Sequence, residues 1–238
     1  GVNPDTVYHT HFLTPAGIRY WKQLEIEALG GRQNFPFQVR RQFITSRIIG
    51  KRLNQRFFSR HRCRVITLVR DPVARKVAAF FNDYRRWPAS LREHYVGDPS
   101  THLTELRKLF LETYPQDLPS TWFDMDLEPA FGIDVYATPF PKDKGYAIYQ
   151  GEFVELLVLK LERLIDCKAE AFRNFMGLEI GEVPSKNVGG SKWYGPLYKA
   201  FSTSVTLPDT YLDRMYDSKY AKHFYTSDEI GAFRENWT

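Results

Sequence analysis

Two histidines near the start of the chain, His9 and His11, are the first residues whose type and spacing suit chemistry. A histidine titrates near neutral pH, so its neutral form can accept a proton from a hydroxyl nucleophile as a general base. The surrounding run 7–13 alternates in the manner of a β-strand, which would place both imidazole rings on one face. Two other interpretations stay open: hydrogen-bonded core histidines, or half of a zinc site for which the spacing suggests no third ligand.

A second candidate site centres on Arg70. The residues before it, 65–69, are apolar or β-branched without a break, and such a run predicts a strand buried on both faces. Asp71 is a favourable N-cap and Pro72 suits the first helical position, so a helix is predicted to follow. A strand-end arginine beside a helix N-terminus attracts phosphate or sulfate, and Arg75 would add a second cation. The alternative is that Arg70 pairs with Asp71 while Arg75 is solvated.

A third feature is a block of basic residues between Arg32 and Arg64 that contains no acidic residue. Its members are Arg32, Arg40, Arg41, Arg47, Lys51, Arg52, Arg56, Arg60, Arg62 and Arg64. Such a block attracts polyanions: nucleic acid, anionic lipid, sulfated or uronic glycans, or an acidic protein. Arginine outnumbers lysine, which favours groups recognised by a planar fork. The alternative is a solvated helix face.

The elements that would position these residues alternate between strands and helices. Helices are predicted at 18–28, about 36–58, 72–85, 101–113 and 168–175, and strands at 7–13, 65–69, 146–150 and 153–161. Five apolar residues of the second helix are expected to face inward: Val39, Phe43, Ile44, Ile48 and Leu53. Residues 226–229 form a capping-box sequence that opens the last helix. The alternation predicts an α/β fold with a mostly parallel central sheet flanked by helices.

Composition narrows the class of protein. The chain has 238 residues, of which 43% are hydrophobic and 16% aromatic, and this excludes an intrinsically disordered chain. No apolar run is long enough to predict a transmembrane segment. The length suits one large domain or one domain with appendages. We therefore expect a single domain over residues 1–238.

The sequence Arg-Asp-Pro-Val-Ala-Arg at 70–75 resembles the 3′-phosphate-binding element of sulfotransferases that use 3′-phosphoadenylyl sulfate. In that family a strand-end arginine and a serine eight residues further on hold the 3′-phosphate. Arg70 matches the arginine, whereas Ala78 stands at the serine position and removes one donor contact. The segment before Pro15 is similar to the family's catalytic strand. His9 stands at the position of that strand's lysine, and His11 at the position of its catalytic histidine, the general base.

The resemblance extends to a late glycine-rich loop. That loop closes over the donor in these enzymes, which implies that Lys186, Lys192 and Trp193 contact the nucleotide. Asn187 and the run Lys192-Trp193-Tyr194 resemble a bacterial family of capsular polysaccharide sulfotransferases still more closely. Two further elements fit that family: Trp-Phe-Asp at 122–124 and Phe-Gly-Ile-Asp-Val-Tyr at 131–136.

The resemblance implies a sulfotransferase-like domain with a fold similar to P-loop kinases, an acceptor-side insertion at about 88–150 and C-terminal helices at 196–238. It implies transfer of a sulfuryl group from 3′-phosphoadenylyl sulfate to a hydroxyl acceptor, which we expect to be a carbohydrate, without a metal. His11 would be the base and His9 an auxiliary. Arg70 and Arg75 would hold the donor's phosphate.

The chain departs from the family in one respect. The family's phosphosulfate loop should precede the histidine strand, but only six residues precede Val7 and no equivalent loop follows. We therefore expect a fold that is N-terminally incomplete, and no sulfuryl transfer by these residues alone. The alternative is a non-catalytic scaffold subunit that docks an acidic protein or a larger assembly through the basic 32–64 face. A nucleic-acid binder would rest on the basic block alone, since no nucleic-acid-binding motif is visible.

Overall fold

The structure is a computed structural model that describes residues 7–54, 63–93, 98–115, 121–181 and 189–238. The chain divides into two compact units. We call Gly1–Leu68 with Thr121–Gly181 unit 1, and Val69–Ser120 with Glu182–Thr238 unit 2. The single domain over 1–238 and its subdivisions stay predictions.

The helices, in chain order, are α1 Pro15–Leu29, α2 Phe37–Asn54, α3 Pro72–Asn82, α4 Ala89–Glu93, α5 Leu103–Thr113, α6 Glu128–Phe131, α7 Leu164–Met176, α8 Gly195–Ser204, α9 Asp209–Tyr216, α10 Lys219–Phe224 and α11 Ser227–Glu235. A π-helical turn, Phe123–Leu127, leads directly into α6. Within the described ranges, none of the helices has the length and apolar character needed to cross a lipid bilayer.

The sheet consists of three strands, β1 Cys63–Val69, β2 Tyr146–Gln150 and β3 Val154–Lys160, in the order β1-β3-β2. β2 and β3 are antiparallel because a turn of only a few residues joins them, and such a short connection cannot return a parallel strand. The α/β class is confirmed, but the sheet is small and mixed. The expected mostly parallel central sheet of the P-loop-kinase type is therefore not found among the described residues.

β1 follows the predicted strand closely but is not buried on both faces. Its side chains alternate, and Ile66 and Leu68 are 44% and 49% exposed, whereas Val69 is 1% exposed. β1 lies at an edge of the described sheet, and an unbroken apolar run does not by itself guarantee that both faces are covered. The prediction of burial on both faces was wrong.

The segment 7–13 forms no strand, contrary to the sequence prediction. It runs irregularly into α1, whose start is defined by Thr14 and Pro15. The Thr14 hydroxyl accepts the Gly17 N–H, and the proline occupies the first helical turn. Gly30, with a φ of 69°, ends the helix in the left-handed conformation, one residue beyond Leu29.

α2 confirms the long basic helix as far as Asn54, and the rest of the predicted span falls at 55–62, outside the described residues. Val39, Phe43 and Leu53 are buried as expected. Ile44 and Ile48 are 59% and 47% exposed, so their inward placement was wrong.

The core of unit 1 that covers the sheet lies between β2, β3 and α7. It contains Tyr146, Leu157, Leu159, Cys167, Ala171 and Phe175. One face of β3 and the apolar stripe of α7 together exclude water here, which is the usual way a small sheet is stabilised.

Unit 2 is built around an aromatic core. Phe80 and Phe81 of α3 pack against Phe110 of α5 and Phe201 of α8. The chain ends in four helices, α8 to α11, where the sequence predicts two or three. The capping box at Thr226 and Glu229 is confirmed, with both reciprocal hydrogen bonds present.

Candidate functional site

The histidine pair lies on the irregular segment that precedes α1 in unit 1. The His9 and His11 rings are 5.0 Å apart with planes inclined at 72°, and His11 also packs edge-on against Trp21 at 5.2 Å. Both histidines are exposed. The rings therefore meet by packing near α1 and not through strand periodicity, and they are accessible to a substrate.

Asp126 anchors the backbone just after the histidines. Its carboxylate accepts the N–H groups of Leu13 and Thr14 at 2.8 Å each, and the Thr14 hydroxyl at 2.7 Å. The side chain is almost fully buried, and this burial raises the pKa of Asp126 even though the three donors oppose the shift. The indole N–H of Trp122 donates to the His11 carbonyl at 3.0 Å. One turn, 122–126, thus positions the segment that carries His11.

Two glycines allow α1 and α2 to approach this segment closely. A Cβ atom on Gly17 would overlap the Asp126 carboxylate, and one on Gly50 would overlap the Leu13 carbonyl oxygen. Both positions lie well inside van der Waals contact, so only glycine fits without a shift of the Asp126 side chain at Gly17 or of the Leu13 backbone at Gly50. The segment is held between the two helices and the Asp126 turn.

A cleft of about 790 Å³ opens between α1 and α2 beside this segment. Its apolar lining is Leu13, Pro15, Ile18, Phe35, Phe43, Ile44 and Gly50, and its basic lining is Arg19, Lys22, Arg32, Arg40, Arg47 and Lys51. Among the described residues, none that lines the cleft is acidic. Leu13 is two residues from His11, so the cleft adjoins the histidine segment.

In unit 2, Arg70 lies between β1 and α3, and the predicted order of strand, arginine and capped helix is confirmed. Asp71 caps α3 by accepting the Val73 N–H at 3.0 Å, and it also accepts the Tyr216 hydroxyl at 3.1 Å. The Tyr220 hydroxyl is 2.9 Å from both the N–H and the carbonyl oxygen of Arg70, accepting from one and donating to the other. The backbone of this hinge is therefore fixed, while its arginine side chain is half-buried.

Lys192 and Trp193 lie at the other end of α3. The Lys192 ammonium donates to Asn82 Oδ1 at 2.6 Å, and the Tyr194 hydroxyl donates to the same oxygen at 2.6 Å. Trp193 is 45% exposed and packs edge-on against Tyr84 at 5.2 Å. Asn82 is the last residue of α3, so the helix, about 16 Å long, separates this cluster from Arg70.

The remaining predicted residues are placed as follows. Arg75 is exposed on α3, one turn after Asp71, whose carbonyl accepts its backbone N–H at 2.8 Å. Lys186 lies outside the described residues. Three of the ten basic residues between 32 and 64 also lie outside the described residues: Arg56, Arg60 and Arg62. Arg64 forms an ion pair with Glu155 at 3.2 Å.

Sequence reasoning missed the residues that position these side chains, chiefly Asp126, Asn82 and Tyr220. Each acts through a contact more than 100 residues away along the chain, so no local pattern marks it. In the part of the chain that the structure describes, no group of three His, Cys, Asp or Glu side chains is placed to hold a metal ion.

Comparison with known proteins gives one match. The model of the NKWYS family, described as "Putative capsular polysaccharide synthesis protein", matches residues 98–226, more than half of the chain, and the chain belongs to this family. The matched region contains Trp122, Asp126, Lys192 and Trp193 but not the histidines or Arg70. No curated protein and no solved structure matches the chain.

Proposed function

We propose that this member of the capsular polysaccharide synthesis family transfers a sulfuryl group from 3′-phosphoadenylyl sulfate to a carbohydrate hydroxyl. Membership of the family supports a carbohydrate-related function. The observation that carries the proposed donor chemistry is Arg70, a strand-end arginine beside a capped helix N-terminus whose backbone is tied by Tyr220. We choose 3′-phosphoadenylyl sulfate as the donor because residues 70–75 resemble the donor-binding element of sulfotransferases.

His11 is the general base of the proposed reaction. It takes the proton of the acceptor hydroxyl while that oxygen forms a bond to sulfur and the bond from sulfur to the phosphate oxygen breaks. The leaving group is adenosine 3′,5′-bisphosphate. His9, with its ring 5.0 Å from that of His11, is an auxiliary that orients the base. The Trp122 and Asp126 contacts keep the His11 backbone in place, so the base needs little reorganisation.

Arg70 and Arg75 bind the donor's 3′-phosphate. Arg70 directly precedes Asp71, the N-cap of α3, and Arg75 belongs to the first turns of this helix, where the dipole favours an anion. Lys186, Lys192 and Trp193 are proposed to close over the nucleotide, and Lys192 would exchange its bond to Asn82 for one to the donor. Ala78 supplies no hydroxyl, so we expect the 3′-phosphate to be held by charge alone.

The test uses the full-length protein. Titration calorimetry with adenosine 3′,5′-bisphosphate should show binding that Arg70→Ala weakens by about tenfold or more, the loss expected for one charge-assisted contact. Arg92→Ala, an exposed arginine on α4, is the matched control and should bind as wild type does.

Radiolabelled sulfate transfer to a panel of polysaccharides then tests the chemistry. His11→Ala should abolish transfer and leave bisphosphate binding within about twofold, because the base acts in the transition state. Retained transfer in this variant would remove His11 from the mechanism. Failure of the wild-type protein to bind the bisphosphate would reject the donor and favour the scaffold alternative.

A further inference from the structure

The cleft between α1 and α2 carries charge that the described protein does not neutralise. Five of its basic side chains make no hydrogen bond or ion pair within the described part of the chain: Arg19, Lys22, Arg32, Arg47 and Lys51. Arg40 differs, because its guanidinium donates to the carbonyls of Phe35 at 2.9 Å and Gln33 at 3.1 Å. Converging cations in a concave site raise the local potential and attract anions.

The cations are arranged in rows on the two helices. Arg47 and Lys51 are four residues apart on α2, a separation of about 6 Å along the axis. Arg19 and Lys22 are three residues apart on α1 and therefore share a face. A ligand with anionic groups repeating at about this interval would contact both rows.

The floor of the cleft is apolar and aromatic. Phe35 and Phe43 stack with ring centroids 5.6 Å apart and planes inclined at 18°, and Trp21 packs behind Phe43 at 4.0 Å. Ile44, which is 59% exposed, adds an aliphatic surface at the cleft wall. The C–H face of a sugar ring packs well on such a surface, whereas its carboxylate seeks the basic rim.

We propose that this cleft binds an acidic glycan whose uronic acid carboxylates pair with Arg19, Lys22, Arg32, Arg47 and Lys51. Arginine dominates the set, and its planar fork matches a carboxylate in bidentate geometry. Leu13 lines the cleft two residues from His11, so a bound glycan presents hydroxyl groups toward the proposed base. The inference rests on the carbohydrate class of the proposed function and does not require sulfuryl transfer.

The direct test is binding of tetragalacturonic acid to the full chain in the absence of any donor, measured by calorimetry or tryptophan fluorescence. We expect saturable binding that weakens as the salt concentration rises, since the contacts are ionic. Maltotetraose, a neutral oligosaccharide of the same length, should bind at least tenfold more weakly. Equal binding of the two oligosaccharides would overturn the proposal.

Charge reversal locates the binding site. Arg47→Glu should lower the affinity for tetragalacturonic acid by about tenfold or more, because it removes one charge-assisted contact and adds a repulsion. Arg41→Glu makes the same change on the same helix but outside the cleft lining, and should change the affinity less than threefold. Arg47→Gln, which introduces no repulsion, should show an intermediate loss and excludes misfolding as the cause. Equal effects of Arg41→Glu and Arg47→Glu would place binding elsewhere.

Two competing ligands distinguish a glycan site from a nucleotide site and from a nucleic-acid site. Adenosine 3′,5′-bisphosphate and a thymidine octanucleotide should each fail to displace the bound uronic tetrasaccharide. Displacement by the bisphosphate would make the cleft a nucleotide site, and tighter binding of the octanucleotide would make it a nucleic-acid site. Either result overturns the glycan assignment. Glycan binding without any sulfuryl transfer would reject only the proposed reaction and leave the cleft assignment standing.

Discussion

At the scale of the residue, the charge state of a side chain depends on what surrounds it. Tyr149 on β2 has a buried hydroxyl that finds no hydrogen-bond partner within the described chain. Burial, with the nearby Asp134 carboxylate, raises the pKa of Tyr149 to about 12. An ordinary tyrosine loses its proton near pH 10. Between these values the folded protein holds a proton that the unfolded chain has lost, so stability falls as the pH rises.

We therefore predict that Tyr149→Phe makes the protein less sensitive to alkali. At pH 7 the variant should be as stable as wild type, or more stable by up to about 1 kcal/mol, because an unpaired buried hydroxyl is removed. The stability of the variant relative to wild type should increase from pH 10 towards pH 12. Urea unfolding at pH 7 and pH 11 measures both effects, with the exposed Tyr8→Phe as the control. A constant difference between wild type and Tyr149→Phe at the two pH values would contradict the assigned pKa.

At the scale of the element, the closest approach in the site is that of α2 to the segment carrying His11. Gly50 has no side chain at the point where the Leu13 carbonyl meets the helix. The exposed Ile44 belongs to the same helix and lines the cleft, which explains why it does not face the core. The helix thus uses one face for the core and an adjoining face for the cleft.

Gly50→Ala should destabilise the protein by about 1–3 kcal/mol, the usual result of forcing extra volume into a packed contact. The same variant should bind tetragalacturonic acid more weakly, because Leu13 and the cleft wall must separate. Gly231→Ala on α11 is the matched control, since nothing lies within 4 Å of its added Cβ. That control should stabilise the helix by about 0.5–1 kcal/mol. Urea unfolding of both variants measures the difference, and a Gly50→Ala protein as stable as wild type would show that the contact is loose.

At the scale of the whole molecule, one aromatic cluster holds unit 2 together. Phe81 is fully buried, and its ring lies 5.1 Å from Trp87, 5.4 Å from Phe201 and 5.8 Å from Tyr194. Tyr194 in turn bonds Asn82, which also holds Lys192. The core and the proposed nucleotide-closing residues are therefore linked.

Phe81→Ala should reduce the free energy of unfolding by about 3–5 kcal/mol, as for other buried aromatic truncations. The free energy of unfolding of a typical domain is only about 5–15 kcal/mol, so this loss is a large part of it. The near-ultraviolet circular dichroism should weaken as well, because several rings lose a packed neighbour. Phe37→Ala, at a side chain that is 77% exposed, should leave both measurements unchanged. If Phe81→Ala unfolds at the wild-type urea concentration, the cluster is not the core of this unit.

The sequence by itself determined the local elements. The start of α3 at Asp71 and Pro72 and the last helix at Thr226 were predicted, whereas α1 begins at Pro15, three residues before its predicted start. Caps and prolines act over a few residues, so their effect can be read without knowledge of the fold. The strands at 146–150 and 154–160 were predicted for the same reason, since alternation and apolar runs are local.

Only the tertiary structure decided how these elements are used. The mixed sheet, the exposed Ile66 on β1 and the cleft beside α2 depend on which strand or helix lies next to which. The anchor between Asp126 and Thr14 and the bond between Asn82 and Lys192 join residues more than 100 positions apart. Such contacts form because folding brings distant segments together, and burial then makes the polar partners necessary. For that reason the candidate catalytic residues could be named from the sequence, while the residues that hold them in place could not.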